Sequence, residues 1–274
     1  MDATLGFGRF AGQAIDTRSR RSIEIVAQDA DTITVDHFFH ASRFFRAVLP
    51  RGAVARIHGQ QFNFSGGTIR NPALNHAQAR FVLDPSHPIR LYPLGQADGA
   101  CIGRIWDFCY SVEVAGPRGV SWALEYSFGD FACAHRLLST SEVVFERIVR
   151  NGYEVEQSAP LALRRHEMNR ALEVAIHRSH AAGMRQPYYL LTPRLGAANC
   201  TSTVFGILDE VLAERYSRRE RLAARLLFRL PLNPRRYLRL RNALPAGARM
   251  APLNQEFASL LAEPEFRDRP PIAA

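Results

Sequence analysis

The sequence has no lysine. All 35 of its basic residues are arginines, and against 26 acidic residues they give the 274-residue chain a net charge of +9. A guanidinium is permanently charged and binds phosphate in a fork, so phosphate-bearing partners are admissible, whether nucleic acid or phospholipid headgroups. No recognised nucleic-acid-binding motif accompanies this charge, and we expect no nucleic-acid partner.

Cysteine is scarce. The four cysteines, Cys101, Cys109, Cys133 and Cys200, are too few and too irregularly spaced for a disulfide scaffold or a paired CxxC zinc site. In an oxidising space Cys109 could pair with Cys101 or with Cys133. Cys133 and His135 form a C-x-H pair, but two further ligands at suitable spacing are missing. We therefore expect no metal and no cofactor.

Long apolar runs are absent as well. No stretch approaches the roughly 18 apolar residues of a membrane span, and the first 21 residues lack the apolar core of a signal peptide. The sequence itself thus predicts a cytoplasmic or membrane-peripheral chain. A hydrophobic content of 47% is sufficient to bury a sizeable core in one large domain, with or without extensions.

Alternation of apolar and polar residues predicts the strands. "RSIEIVAQDADTITVDHFF" is typical of two short strands across a turn, "HAQARFVL" of a half-buried strand, and "YEVEQ" of one more strand. "DFCYSVEV" and "VSWALEYSF" flank a Gly-Pro-Arg-Gly turn and predict a hairpin. These segments indicate an α+β fold, with a small antiparallel sheet packed against helices.

Capping signals and helical spacing predict the helices. "HASRFFRAVLPRG" is typical of a short helix stopped by Pro50, and "STSEVVFERIVRNG" opens with a capping box of Ser139 and Glu142. "RRHEMNRALEVAIHRSHAAG" predicts a helix that ends at Gly183, and a further helix begins at or just after Asn199. We divide the chain into an N-terminal extension (1–57), a catalytic domain (58–215) and an arginine-rich amphipathic tail (216–274).

Cys200 is a candidate nucleophile because it follows the predicted N-cap Asn199. A helix N-terminus favours a thiolate, and its free N–H groups, near Asn199 and Thr201, could hold an oxyanion. A buried structural cysteine is the alternative interpretation, because free cysteine is often buried.

His76 is the best-placed partner for Cys200, since it opens a strand on the face opposite the apolar stripe. A strand-edge histidine beside a helix-borne cysteine is the arrangement of papain-like thiol enzymes, and in permuted members the histidine comes first in the chain. Glu113 is the candidate third residue, with Gln78 and Glu125 as alternatives. A solvated strand face is the competing interpretation for His76 and for each of these three.

Together these residues resemble a known family. "YYLLTPRLGAANCTSTVFGILDEVL" is similar to the Y-x-L-L-T…N-C-T-T segment of the DUF4105 family, the N-terminal periplasmic domain of Lnb-type bacterial lipoprotein N-acyltransferases. "NHAQARFVL" and "CYSVEV" resemble its histidine-bearing and S-V-E strands, so the likeness covers residues 58–215. Six residues separate Thr192 from Asn199, where the family has one or two, and about thirty residues separate His76 from "SVEV".

The resemblance implies a permuted papain-like fold, related to the NlpC/P60 group, with Cys200 as nucleophile and His76 as base. It also implies a periplasmic location and acyl transfer to lipoproteins through a thioester. A peptidase or amidase of the same fold, or a non-catalytic interaction module, are the alternatives. An anionic membrane surface is a possible partner for arginines of the tail: Arg218, Arg219, Arg225, Arg235 and Arg236.

Overall fold

The protein folds around one large sheet. The structure, a computed structural model, describes residues 4–64, 74–95, 99–190, 198–217 and 234–270. The strands within these ranges are β1 (Glu24–Gln28), β2 (Thr32–His40), β3 (Arg43–Pro50), β4 (Val54–Asn63), β5 (Asn75–Leu83), β6 (Ile89–Pro93), β7 (Gly103–Ile105), β8 (Asp107–Ala115), β9 (Phe128–Ser139), β10 (Val155–Ser158), β11 (Pro187–Tyr189) and β12 (Met250–Pro252).

The described helices cover the two faces of this sheet. They are α1 (Thr140–Val143), which continues as a π-helix over Val144–Arg150, α2 (Arg165–Ala182), α3 (Cys200–Val211), α4 (Pro234–Leu240), α5 (Leu253–Glu256), α6 (Ala258–Ala262) and α7 (Pro264–Arg267). Short 3-10 turns lie at 8–10, 124–126 and 213–215. The fold is mixed α and β.

The predicted small sheet is wrong in size, because the described residues place twelve strands in one sheet. The strands run in the order β12-β10-β4-β5-β8-β9-β2-β3-β6-β7, with β1 paired to β2 and β11 paired to β9. All of these pairs are antiparallel except β2 with β9. The sheet is larger because segments before residue 58 and after residue 215 add strands to it.

The sheet has two buried faces. The α2/α3 face carries the larger apolar core, which includes Phe81, Tyr110 and Cys133 below the two long helices. The α1 face carries a smaller apolar cluster, in which Phe39 and Phe62 pack against α1 and the C-terminal helices. Strands of a sheet covered on both sides cannot present one face to water, and this determines where the candidate site residues lie.

β5 illustrates the consequence. Ala77 and Phe81 lie on the α2/α3 face, as the alternation predicts, and the polar residues that alternate with them lie on the α1 face. This second face was expected to be solvated, yet His76, Gln78 and Arg80 are all buried there. Arg80 is neutralised by ion pairs with Asp107 and Glu256, so its burial leaves no unpaired charge.

Two predicted elements are wrong. Residues 40–52, expected to form a helix, form the β2–β3 turn and β3, because apolar Phe44 and Phe45 pair across to Phe39 and Phe38. The second strand of the predicted hairpin, at 120–128, is irregular with a 3-10 turn. The partner of β8 is β9 instead, whose long apolar run fits a strand that is buried on both faces.

The remaining predicted elements are confirmed. Ser139 caps α1 and accepts a hydrogen bond from the amide of Glu142. α2 ends at Gly183, whose φ of 52° lies in the left-handed region that glycine tolerates. α3 begins at Cys200 with Asn199 as its N-cap, and β1, β2, β5, β8 and β10 lie where alternation predicts them.

Residues outside 58–215 contribute to the same sheet and the same core. Residues 24–50 form β1 to β3, and Tyr237 and Leu238 of α4 are buried in the larger core. β12 extends the sheet by pairing with β10. None of the described helices is both long enough and apolar enough to cross a membrane.

Candidate active site

α3 presents Cys200 at its first helical position. The side chain of Asn199 accepts a hydrogen bond from the Ser202 amide at 2.7 Å, and Ser202 Oγ accepts one from the Asn199 amide at 3.0 Å. The Asn199 carboxamide also donates to the carbonyl of Leu190 at 3.0 Å. Asn199 therefore fixes the helix start, and its side chain serves the cap rather than a bound oxyanion.

The Cys200 thiol lies on the α2/α3 face and is completely buried. Burial raises its pKa above the ordinary value, although hydrogen bonds with the Ala77 amide, Thr201 and the Tyr188 hydroxyl act in the opposite direction. Thr201 Oγ1 lies 3.8 Å from the sulfur. The amides of Ala77 and Thr201 both favour a negative charge on the sulfur, and its burial favours the neutral thiol.

A second buried thiol lies close to this site. Cys133 on β9 donates to the carbonyl of Ala198 at 3.7 Å, two residues before Cys200. Burial raises the pKa of Cys133 as well, and the neighbouring Cys200 adds to the effect. All four cysteines are free thiols, so neither of the pairings considered for Cys109 is formed.

His76 points to the other side of the sheet. Its Nε2 lies 2.8 Å from Ser111 Oγ, and its ring stacks on Phe62 with the centroids 4.8 Å apart. Burial, assisted by the positive charge of Arg147, lowers the pKa of His76 to about 3. The imidazole is therefore neutral at physiological pH, which is the protonation state that a general base requires.

Glu113 is joined to His76 through Ser111, whose hydroxyl lies 3.2 Å from Glu113 Oε1. Its other partners are arginines: Arg136 at 2.9 Å, Arg20 at 3.3 Å, and Arg147. Burial alone would raise the pKa of Glu113, but the three guanidinium groups hold it well below its usual range. Glu113 thus stays ionised and anchors the hydroxyl that orients His76.

The structure brings His76, Ser111 and Glu113 together, and it places Cys200 separately. Among the described contacts, Cys200 and His76 are not hydrogen-bonded to each other. The Cys200 side chain lies on the α2/α3 face of the sheet, and the His76 side chain lies on the α1 face. Their connection is through the backbone, since the Ala77 amide that reaches the Cys200 sulfur follows His76 directly.

The two alternatives for the third residue have other roles. Gln78 donates to Gln60 Oε1 at 2.6 Å, and Glu125 is an exposed residue of a 3-10 turn. Of the tail arginines, Arg218, Arg219 and Arg225 lie outside the described residues. Arg235 and Arg236 belong to α4, where Arg236 is exposed and Arg235 lines the cavity described next.

A small apolar cavity of about 30 Å³, partly open to solvent, lies on the α2/α3 face and is lined by neighbours of Cys200. Ala77 lines it and contacts the thiol, and Val204, one helical turn after Cys200, lines it too. The other lining residues are largely apolar and come from β4, β5, β8, α2, α3, α4 and the neighbouring loops: Ile57, Gly59, Gln60, Gln61, Gln78, Ala79, Phe81, Tyr110, Leu161, Ala171, Phe205, Ile207, Leu208, Pro234, Arg235, Leu238 and Met250.

Sequence analysis missed Tyr188, the arginines around Glu113 and the cavity. Arg136 carried a signal, because a charged residue inside the apolar run "FACAHRLLS" of a strand implies a buried ion pair. The cavity carried no signal in the sequence, because its walls come from segments far apart in the chain. The described residues contain no group of three or more His, Cys, Asp or Glu side chains that could hold a metal ion.

Comparisons with protein-family models, curated proteins and solved structures found no match to the chain.

Proposed function

We propose that the protein is a cysteine-dependent acyltransferase or hydrolase that forms a thioester on Cys200, with lipid or lipoprotein acyl groups as substrates. The observation that carries the proposal is the apolar cavity beside the helix-borne thiol. Ala77 belongs to both, because it lines the cavity and its amide contacts the Cys200 sulfur.

The cavity supports an acyl substrate over a peptide. Its volume is about 30 Å³, so the cavity must widen to hold an acyl chain. The walls are mainly aliphatic and aromatic, which suits a hydrocarbon chain and offers a peptide backbone few hydrogen-bonding groups. A peptidase or amidase with the same nucleophile is therefore the less supported enzyme class.

The proposed chemistry follows from the groups around the sulfur. The Cys200 thiol loses its proton to a water molecule, because the His76 imidazole is bonded to Ser111 on the other face of the sheet and does not reach the sulfur. The thiolate attacks the ester or amide carbonyl, and the N–H groups at the start of α3 stabilise the oxyanion. The carbonyl carbon then releases the alcohol or amine, which takes a proton from water. An amine acceptor gives transfer, and water gives hydrolysis.

The finer assignments belong to the same proposal. A helix-borne cysteine that packs on an antiparallel sheet, with the histidine on a neighbouring strand earlier in the chain, supports a permuted papain-like arrangement. The similarity of the N-C-T and N-H-A segments to the DUF4105 family supports a relationship to Lnb-type enzymes and a periplasmic location.

An interaction module without turnover is the second candidate. It is favoured by the complete burial of Cys200, whose pKa is raised, and by the bond between His76 and Ser111. In that case the cavity binds an apolar chain and the thiol stays unreacted. The two candidates differ in one observable, which is covalent modification of Cys200.

Mass spectrometry of the intact protein after incubation with phospholipid or diacylated lipopeptide distinguishes them. The proposal predicts a mass increase of one acyl chain that is absent in Cys200→Ala. His76→Ala should still be acylated, because its imidazole lies on the other face of the sheet from the Cys200 sulfur. An unmodified wild-type chain with every donor, together with bound lipid, establishes the interaction module instead.

A further inference from the structure

The outer face of β6 and β7 carries two arginines directly opposite each other. β7 lies at one end of the sheet order and pairs only with β6 among the described strands. The register places Arg90 opposite Arg104, and Ile89 opposite Ile105 on the inner side. Ile89 is fully buried and both arginines are exposed, so this side of the ribbon faces outward.

Neither arginine has an ion pair or hydrogen bond with a described residue. Most arginines near the core of the sheet are matched to carboxylates, as Arg46 is to Asp36 at 2.7 Å. Like charges directly opposite on one face of a sheet destabilise it. An unmatched pair of guanidinium groups in this position is therefore suited to an anionic partner from outside the chain, and guanidinium binds phosphate in particular.

Exposed apolar residues lie next to the two arginines in the chain. Ile102 and Trp106 flank β7, and they are 55% and 42% exposed. Leu94, just beyond β6, is 42% exposed. The indole N–H of Trp106 donates to the carbonyl of Pro85 at 2.8 Å, which holds the ring in place while much of it faces solvent. A fixed, amphipathic indole beside basic residues is typical of the membrane–water interface.

We propose that this surface, formed by Arg90, Arg104, Ile102, Trp106 and Leu94, binds the headgroup region of an anionic phospholipid membrane. Residues 90–94 and 102–106, at about 3.3 Å per residue on two strands each about 4.8 Å wide, span on the order of 160 Å². A stable protein–protein interface needs about 800 Å² on each partner, so a second copy or another protein is poorly matched. Binding to a membrane needs no such area, because each inserted apolar side chain and each basic residue near anionic lipid adds to the binding free energy.

The surface is independent of Cys200 and of the proposed acyl chemistry. It also differs from the arginine-rich segment between α3 and α4, so the test must separate the two. Arg56 and Arg170 provide a matched control, since both are exposed and have no ion pair with a described residue. Arg56→Gln with Arg170→Gln removes the same charge as Arg90→Gln with Arg104→Gln, at other places on the molecule.

Sedimentation with vesicles tests the proposal. The full chain is mixed at low salt with vesicles of phosphatidylcholine alone, or of equal parts phosphatidylcholine and phosphatidylglycerol. We expect binding only to the phosphatidylglycerol vesicles. The Arg90→Gln/Arg104→Gln variant should bind about 25-fold more weakly, which corresponds to about 1 kcal/mol per basic residue near an anionic surface. The control variant should lose distinctly less affinity.

Fluorescence of Trp106 provides the second measurement. The chain has two tryptophans, so Trp122→Phe leaves Trp106 as the only one. Its emission should shift to the blue when phosphatidylglycerol vesicles are added, because the ring enters the headgroup region. Equal loss of binding in the two double variants, an unchanged emission maximum, or self-association without vesicle binding would each overturn the proposal.

Discussion

At the scale of single residues, the four cysteines differ sharply in exposure. Cys109, Cys133 and Cys200 are completely buried, whereas Cys101 is exposed on the loop before β7. Burial raises the pKa of Cys109 to about 12, and it raises the pKa of the other two buried thiols as well. A thiol that is both neutral and shielded does not react with a water-soluble electrophile.

We therefore expect one modification per native chain with iodoacetamide near pH 8, at Cys101. Cys101→Ala should remain unmodified when native, and wild type unfolded in guanidinium should take up four groups. Intact mass spectrometry counts them. Rapid native labelling of Cys200 would contradict the resting arrangement described above.

His76 makes stability depend on pH. Its pKa is about 3 in the folded protein and 6.5 when the histidine is not buried, as in the unfolded chain. Between these pH values the unfolded chain therefore binds a proton that the folded chain does not. Stability therefore falls as the pH is lowered through this window, by up to about 1.4 kcal/mol per pH unit for one such group.

His76→Gln should flatten the pH dependence of the free energy of unfolding by about that amount between pH 4 and 6. The slope comes from urea unfolding at several pH values, and it is interpretable even if the variant is less stable at neutral pH. His166→Gln, at an exposed position of α2, is the control for replacing a histidine by glutamine outside the core. Equal slopes in wild type and His76→Gln would show that His76 is not held neutral by burial.

Residue roles were only partly predictable from the sequence. The position of Cys200 at a helix start could be predicted, because the Asn199 cap and the apolar spacing after it are local features. The direction of the His76 side chain relative to Cys200 could not, because it depends on which face of β5 receives α3. The alternation in "NHAQARFVL" separates two faces but does not say that both are buried.

At the scale of elements, the start of α3 is fixed by one side chain with two functions. Asn199 caps the helix through Ser202, and its carboxamide donates to the carbonyls of Leu190 and Tyr189. A serine at this position can also cap the helix, but it has no carboxamide to donate to these carbonyls. Substitutions at this position can therefore separate the cap from the loop contact.

Asn199→Ala should lower the free energy of unfolding by about 2 kcal/mol, since it loses both functions. Asn199→Ser retains a capping oxygen and should lose clearly less. Urea denaturation of the two variants measures the difference. A serine variant as unstable as the alanine variant would assign the whole effect to the loop contact.

Elements with local signals were predicted well, and the exceptions have a physical cause. The caps at Ser139, Gly183 and Asn199 depend on neighbouring residues alone, and all three are confirmed. β3 was mistaken for a helix because its spacing of apolar residues fits both periods. Its strand conformation comes from pairing with β2 and β6, which lies beyond a local pattern.

At the scale of the whole molecule, the C-terminal segment completes the α1 face. β12 pairs with β10, and Leu253 of α5 is buried among Phe39, Phe62 and Val155. Glu256 pairs with Arg80 from β5 at 2.7 Å. The Arg80–Glu256 pair joins residues 176 positions apart, and the tail therefore contributes to the stability of the core.

Leu253→Ala should destabilise the protein by about 2–5 kcal/mol, because it removes a buried side chain and leaves a cavity. Leu240→Ala is the matched control. Leu240 is 53% exposed on α4, and its loss should change stability by less than about 0.5 kcal/mol. Thermal or urea unfolding of both variants tests the difference, and equal effects would mean that the segment after α4 packs only loosely on the sheet.

The central claim is that the buried thiol at the start of α3 accepts an acyl chain held in the adjoining cavity. The most direct measurement is mass spectrometric mapping of peptides after incubation of the full chain with a diacylated lipopeptide. The account predicts an acyl group on the peptide that contains Cys200, removed by neutral hydroxylamine as a thioester is, and absent from Cys200→Ala. An unmodified Cys200 peptide, from protein shown to bind the same lipopeptide, would contradict the claim and identify the cavity as a binding site without turnover.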